Sequence, residues 1–253
     1  MTDNYQLNHE IIGDINNANT IFVFGHGWGF DKNIFIPFAN ALIVKGSSIL
    51  INFPGFGGSE EPPENWTTKE YADITANLIK QYKGSRKVIY IGHSFGGRIG
   101  IRICSQDLVD AMVLLASAGI PKHKPLPIKL LRKAKVFFYK FLKPIPLMLG
   151  IDLDKLKGKF GSVDYRSASP VMRKILNNVV GENLSEEAKN IKIPVLIIYG
   201  DKDTETPPAI GKALHKLIAN SSLVILKDQD HHSILMNYKQ PVIRKISDFV
   251  LSL

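Results

Sequence analysis

The apolar positions of this chain fall into short unbroken runs rather than strict alternation. Residues 21–24, 49–53, 88–91 and 195–199 are rich in β-branched and aromatic side chains, and each run ends in a glycine or proline turn. Continuous hydrophobicity over four to five residues is what a strand buried on both faces requires, so these read as parallel strands. Residues 111–115 and 223–226 are two further candidates. Between several of the runs, residues 68–82, 99–105, 210–217 and 242–251 carry apolar side chains at helical spacing. Strand and helix alternate, which predicts an α/β fold with a doubly wound, mostly parallel sheet.

The rhythm breaks between Gly119 and Pro194, where roughly seventy residues pass before the next strand-like run, far more than a crossover needs. The organisation expected is a core built from residues 1–120 and 191–253, with residues 121–190 inserted as a mostly helical cap. Inside the insert, Leu130, Leu131, Ala134, Phe137, Phe138, Phe141 and Ile145 recur at helical spacing. Lys129, Arg132, Lys133, Lys140 and Lys143 fall on the opposite side, so an amphipathic helix ending near Pro144 and Pro146 is expected.

Charge marks the same boundary. The chain carries a formal +9, yet residues 121–190 hold 15 Lys and Arg against 6 Asp and Glu, while the remainder holds 17 of each. The excess therefore belongs to the insert alone. Three readings of it stand side by side: a solvated Lys-rich outer face, attraction of anionic substrates, and membrane-surface contact through a basic amphipathic helix. Nucleic acid is not an expected partner, because no recognition module accompanies the charge. The 45% hydrophobic content of the 253 residues excludes a disordered chain, and a single cysteine, Cys104, excludes an internal disulfide or a zinc site built on paired thiolates. The first ten residues lack the basic start and apolar run of a signal peptide, and no later stretch is long and apolar enough to span a bilayer, so the expected home is cytoplasmic.

Candidate chemistry sits at the ends of the expected strands. Gly92-His93-Ser94-Phe95-Gly96-Gly97 follows one strand and opens a helical stretch, the context of a nucleophile elbow. Glycines two before and two after Ser94 remove side chains that would collide in so tight a turn. The Phe95 N–H, at the first turn of a helix, would face developing negative charge. The plainer alternative is a Gly-rich strand-to-helix turn with a capping serine. Gly25-His26-Gly27-Trp28-Gly29 follows another strand and can turn the Trp28 N–H inward as a second oxyanion donor, with the His26 side chain read as a structural hydrogen-bonding group. Asn52 to Ser59, a Pro-Gly-Phe-Gly-Gly-Ser turn at its centre, says only loop by itself.

In this order the motifs resemble those of the α/β-hydrolase superfamily over nearly the whole chain: a His-Gly-Trp turn, a Pro-Gly-Phe-Gly-Gly-Ser turn, the elbow, then an inserted cap. The resemblance implies a serine hydrolase. It places the acid in a Gly-x-x-Asp-x-x-x-Pro turn, matched by Gly200 to Pro207 with Asp203 in the acid position and Asp201 as fallback. It places the base after the last strand, where His231 and His232 are adjacent; counting forward favours His231 and leaves His232 a competitor. Lys227, Asp228 and Asp230 stand where the family usually has Pro or Gly, and Met236 where an acidic residue is common.

The expected triad is thus Ser94, Asp203 and His231, with backbone N–H groups of Trp28 and Phe95 as the oxyanion hole. The expected activity is hydrolysis of small carboxylic esters through an acyl-enzyme, with no metal or organic cofactor. Serine at position 94 disfavours the branches that use an aspartate nucleophile. Other acyl or C–C bond hydrolysis, acyl transfer and cofactor-free peroxidation use a nearly identical triad, and a ligand receptor that keeps the triad is the reading from a different class. Phe137, Phe138, Phe141, Leu147, Met148 and Leu149 are available to line a substrate pocket.

Overall fold

A computed structural model describes residues 5–121 and 163–253. The amphipathic helix and pocket-lining residues expected within 122–162 lie outside the described residues.

Among the described residues seven strands form one sheet: β1 (Asn8–Ile12), β2 (Thr20–Gly25), β3 (Ser47–Asn52), β4 (Lys87–His93), β5 (Ala111–Leu115), β6 (Val195–Gly200) and β7 (Ser221–Leu226), in the spatial order β1-β3-β2-β4-β5-β6-β7. All neighbours are parallel except β1, which runs antiparallel to β3. The six strands expected from the apolar runs all form. β1, Asn-His-Glu-Ile-Ile, escaped that reading because it is a short polar rim strand without a run to betray it.

Each central strand divides its side chains between two cores, which is why its sequence reads as uninterrupted hydrophobicity. Ile21, Val23, Ile49, Ile51, Tyr90, Ile197 and Tyr199 point into one core, together with residues of α2 (Thr68–Lys83), α3 (Phe95–Ile103) and α7 (Pro208–Leu217). Phe22, Phe24, Leu50, Ile89, Ile91, Leu196 and Ile198 point into the other, under α1 (Ile36–Leu42) and α8 (Lys239–Leu251). At the far rim, β7 loses this two-sided burial, with Ser222 and Ile225 exposed. Helix α2 starts on a full capping box, Thr67 with Glu70, the cap that its Thr-x-x-Glu sequence encodes.

Among the described residues, three helices, α4 (Val163–Ser167), α5 (Pro170–Gly181) and α6 (Ser185–Lys189), belong to the segment expected as cap. They are tied to the core rather than detached from it. Met172, Ile175, Leu176 and Val179 of α5 join the first core, and Glu182 accepts from the Thr68 N–H at 2.9 Å and sits 3.5 Å from the Arg102 guanidinium. A second Arg102 nitrogen meets Glu187 at 2.9 Å. Among the described residues no helix is long and apolar enough to cross a membrane.

Candidate active site

Strand β4 ends at His93, and the chain reverses at Ser94 into α3. Ser94 has φ 49° and ψ −105°, a conformation that costs a non-glycine residue about 1–3 kcal/mol and persists only where the surroundings impose it. They do: the Ser94 N–H donates to the Leu115 carbonyl at 3.0 Å, and the Ser94 carbonyl accepts from Arg98 and Ala118, each at 3.2 Å. Two glycines make the turn sterically feasible. A Cβ on Gly92 would lie 2.6 Å from the Gly96 carbonyl oxygen, and one on Gly96 would lie 2.1 Å from that of Gly25, both immovable backbone. The elbow thus packs directly onto the segment after β2, where the Gly96 N–H donates to the His26 carbonyl at 3.0 Å. Next along that segment, the Trp28 ring meets those of Phe95 and Phe56 edge-on, at 5.4 and 4.9 Å between centroids. This brings residues 28 and 95 together beside Ser94, and the Phe95 N–H, in the first turn of α3, has no intrahelical acceptor.

The His26 ring bridges two loops. Its Nδ1–H donates to the Gly27 carbonyl at 2.7 Å and its Nε2 accepts the Phe53 N–H at 3.0 Å, so it holds the segment in shape as a neutral group. Burial pushes its pKa down to about 4. His93 is also fully buried: its Nε2–H donates to the His231 carbonyl at 3.0 Å, while its Nδ1 has no partner among the described residues. Burial, then the neighbouring His231, hold its pKa well below the usual value.

These two histidines give a pH dependence of known sign. Both have folded pKa values below the unfolded value of about 6.5, so the unfolded chain binds more protons between about pH 4 and 6.5. The stability each contributes is complete above that window and is lost as pH falls through it, with a slope of at most about 1.4 kcal/mol per pH unit for each ring. Denaturant midpoints measured between about pH 7.5 and 5 should therefore fall with acidification, and fall less steeply in His26→Gln. Equal midpoints across that range would contradict the burial of both rings as neutral groups.

Strands β6 and β7 deliver the remaining groups. After β6, Asp203 is buried, and its Oδ1 accepts the backbone N–H groups of Glu205 and Thr206 at 2.9 and 2.7 Å. Its Oδ2 lies 2.8 Å from His231 Nδ1. Asp201, the fallback acid, is exposed. After β7, the Asp230 carboxylate accepts from the N–H groups of His232 and Ser233 at 3.0 and 2.7 Å, and the Ser233 hydroxyl accepts the Asp230 N–H at 2.8 Å. This side-chain-built turn, preceded by Asp228 at φ 58°, does with aspartates what glycines do more cheaply elsewhere. It sends the His231 ring inward, 7% exposed, and the His232 ring outward, 49% exposed against Phe30.

The His231 and His93 rings are 4.7 Å apart, which sets His231 beside the residue that precedes Ser94. Among the described residues no hydrogen bond joins Ser94 Oγ to His231. Such contacts commonly tighten only when substrate is bound.

Thr206 was not singled out in the sequence, yet its Oγ1 lies 2.8 Å from Asp203 Oδ2, 3.0 Å from His231 Nδ1 and 2.9 Å from the Ala116 carbonyl. Its hydroxyl clamps the acid and the imidazole to the end of β5. The signal was available: a threonine three residues after a turn aspartate is placed to return a backbone N–H to that carboxylate.

Chemically, a strained serine at a strand-to-helix turn and a buried carboxylate–imidazole pair, at the carboxyl ends of parallel strands, are the arrangement of an α/β hydrolase. Residues 22–244 match the profile of the Alpha/beta hydrolase family, and the chain belongs to that family. It is similar to Lipase 1 of Psychrobacter immobilis, 28% identical over 226 residues that cover 81% of this chain and 69% of the lipase. It is also similar to the pimeloyl-[acyl-carrier protein] methyl ester esterase of Neisseria meningitidis, 23% identical over 225 residues that cover 83% of this chain and 70% of the esterase. Among solved structures, the enol-lactonase from Burkholderia xenovorans shares the fold, with a TM-score of 0.72 at 21% identity, over 97% of this chain and 96% of the lactonase.

Proposed function

We propose that the protein is a serine esterase for small carboxylic esters, in which Ser94 is the nucleophile, His231 the general base and Asp203 the acid. The observation that carries this reading is the buried 2.8 Å contact between His231 Nδ1 and Asp203 Oδ2, set beside a serine held at positive φ. That contact fixes the imidazole proton on Nδ1 and leaves the Nε2 lone pair to accept the Ser94 proton as Oγ attacks the ester carbonyl. The tetrahedral oxyanion is received by the N–H groups of Trp28 and Phe95, each such donor being worth about 10²–10³ in rate. His231 then protonates the leaving alcohol, and water repeats the cycle on the acyl-enzyme with His231 again as base. The relatives named lipase and methyl ester esterase support an ester as the substrate.

The test is steady-state turnover of p-nitrophenyl esters of increasing acyl length. Multiple turnovers are expected, with kcat/KM passing through a maximum that measures the acyl pocket. Folded protein with no turnover on any of these esters would overturn the reading. A single burst with retained product would move it to the receptor class.

A further inference from the structure

At the mouth of the site Glu205 and His232, neither of which the proposed ester hydrolysis uses, lie beside His231. Glu205 lies between the two adjacent histidines: its carboxylate oxygens are 3.7 Å from His231 Nε2 and 3.6 Å from His232 Nε2. One ligand atom from each of the three residues can be chosen so that all lie within 4.8 Å of one another. Two imidazoles and one carboxylate around an open position are the donors that tetrahedral Zn2+ takes, with Zn–N and Zn–O near 2.0–2.2 Å and donors therefore about 3.3 Å apart. Glu205 and His232 are half exposed, so small side-chain rotations close the remaining gap.

A second observation is independent of that spacing. A histidine ligand characteristically donates its other ring N–H to a carboxylate, which fixes the tautomer and strengthens the ligating nitrogen. His231 already has this support, because Asp203 Oδ2 holds Nδ1 and leaves Nε2, 3.7 Å from Glu205, as the free nitrogen. The Glu205 carboxylate beside the two imidazoles supplies negative charge that a dication would meet.

We propose that His231 Nε2, His232 Nε2 and the Glu205 carboxylate bind a divalent cation of borderline softness, Zn2+ above all, as an inhibitory site. No covalent change is involved: the metal takes the lone pair with which His231 would accept the Ser94 proton. The inhibitory consequence rests on the reading of His231 as the base. The binding itself does not.

Two measurements separate these. In calorimetry with ZnCl2, wild type and Ser94→Ala should each bind one equivalent, and His232→Ala and Glu205→Gln should bind at least about 10-fold more weakly. In ester turnover, Zn2+ should inhibit wild type reversibly, with chelator restoring the rate, and both variants should keep the metal-free rate while needing at least about 10-fold more Zn2+ for half-inhibition. Mg2+ and Ca2+, which prefer oxygen donors, should not inhibit. Failure of wild type to bind Zn2+, or binding unchanged in both variants, would overturn the proposal. Absence of ester turnover without metal would count against the esterase reading alone, since the calorimetric result would still stand.

Discussion

Ser94→Ala is expected to leave a normally folded protein whose kcat/KM on esters has fallen by about 10⁴- to 10⁶-fold, the range seen when a triad nucleophile acting as part of a unit is removed. The fold should survive because the strained backbone at residue 94 is imposed by main-chain bonds to Leu115, Arg98 and Ala118, all of which alanine keeps. The deleted Oγ has no partner among the described residues, so its loss orphans nothing. What disappears is the atom that the proposed mechanism uses to form the acyl bond. Residual activity should come only from binding and the oxyanion N–H groups. Matched thermal melts and kcat/KM values check this, and a variant retaining a tenth of wild-type activity would remove Ser94 from the mechanism.

The next largest effect is expected at His231, and its neighbour is the control. His231→Ala should cost about 10⁴-fold or more in kcat/KM, whereas His232→Ala should stay within a few-fold of wild type. The asymmetry follows from burial and partners. One ring is enclosed and bonded to Asp203 and Thr206, while the other is half exposed against Phe30. Equal losses in the two variants, or the reverse order, would give the base role to His232 and break the proposed link to Asp203.

Much of this architecture was legible because central strands buried on both faces write themselves as apolar runs. The rims were less so. β1 carries His9 and Glu10 in five residues, and α1, only seven residues long with Pro37 near its start, presents too few turns for a periodic signal. Within the site, the glycines flanking Ser94 and the spacing from Gly200 to Pro207 pointed to their residues directly. Counting favours His231, but which of the two adjacent rings turns inward depends on local backbone conformation. That conformation is set by Asp228 at positive φ and by the Asp230 side chain, residues that at first sight looked like departures from the pattern. Thr206 and Glu205 acquire their roles only when the loops after β6 and β7 meet.

The order of strands in the sheet has its own consequence. Ser94 rises from β4, clasped by neighbours on both sides, whereas Asp203 and His231 rise from β6 and β7, and β7 is held along one edge only. The proposed triad is thus mounted on parts of unequal permanence. Fraying of the outermost strand, among the cheapest openings a sheet undergoes, would displace the imidazole while the centre keeps its shape. In an α/β hydrolase built this way, with His231 as the proposed base, loss of activity is expected to begin at the rim.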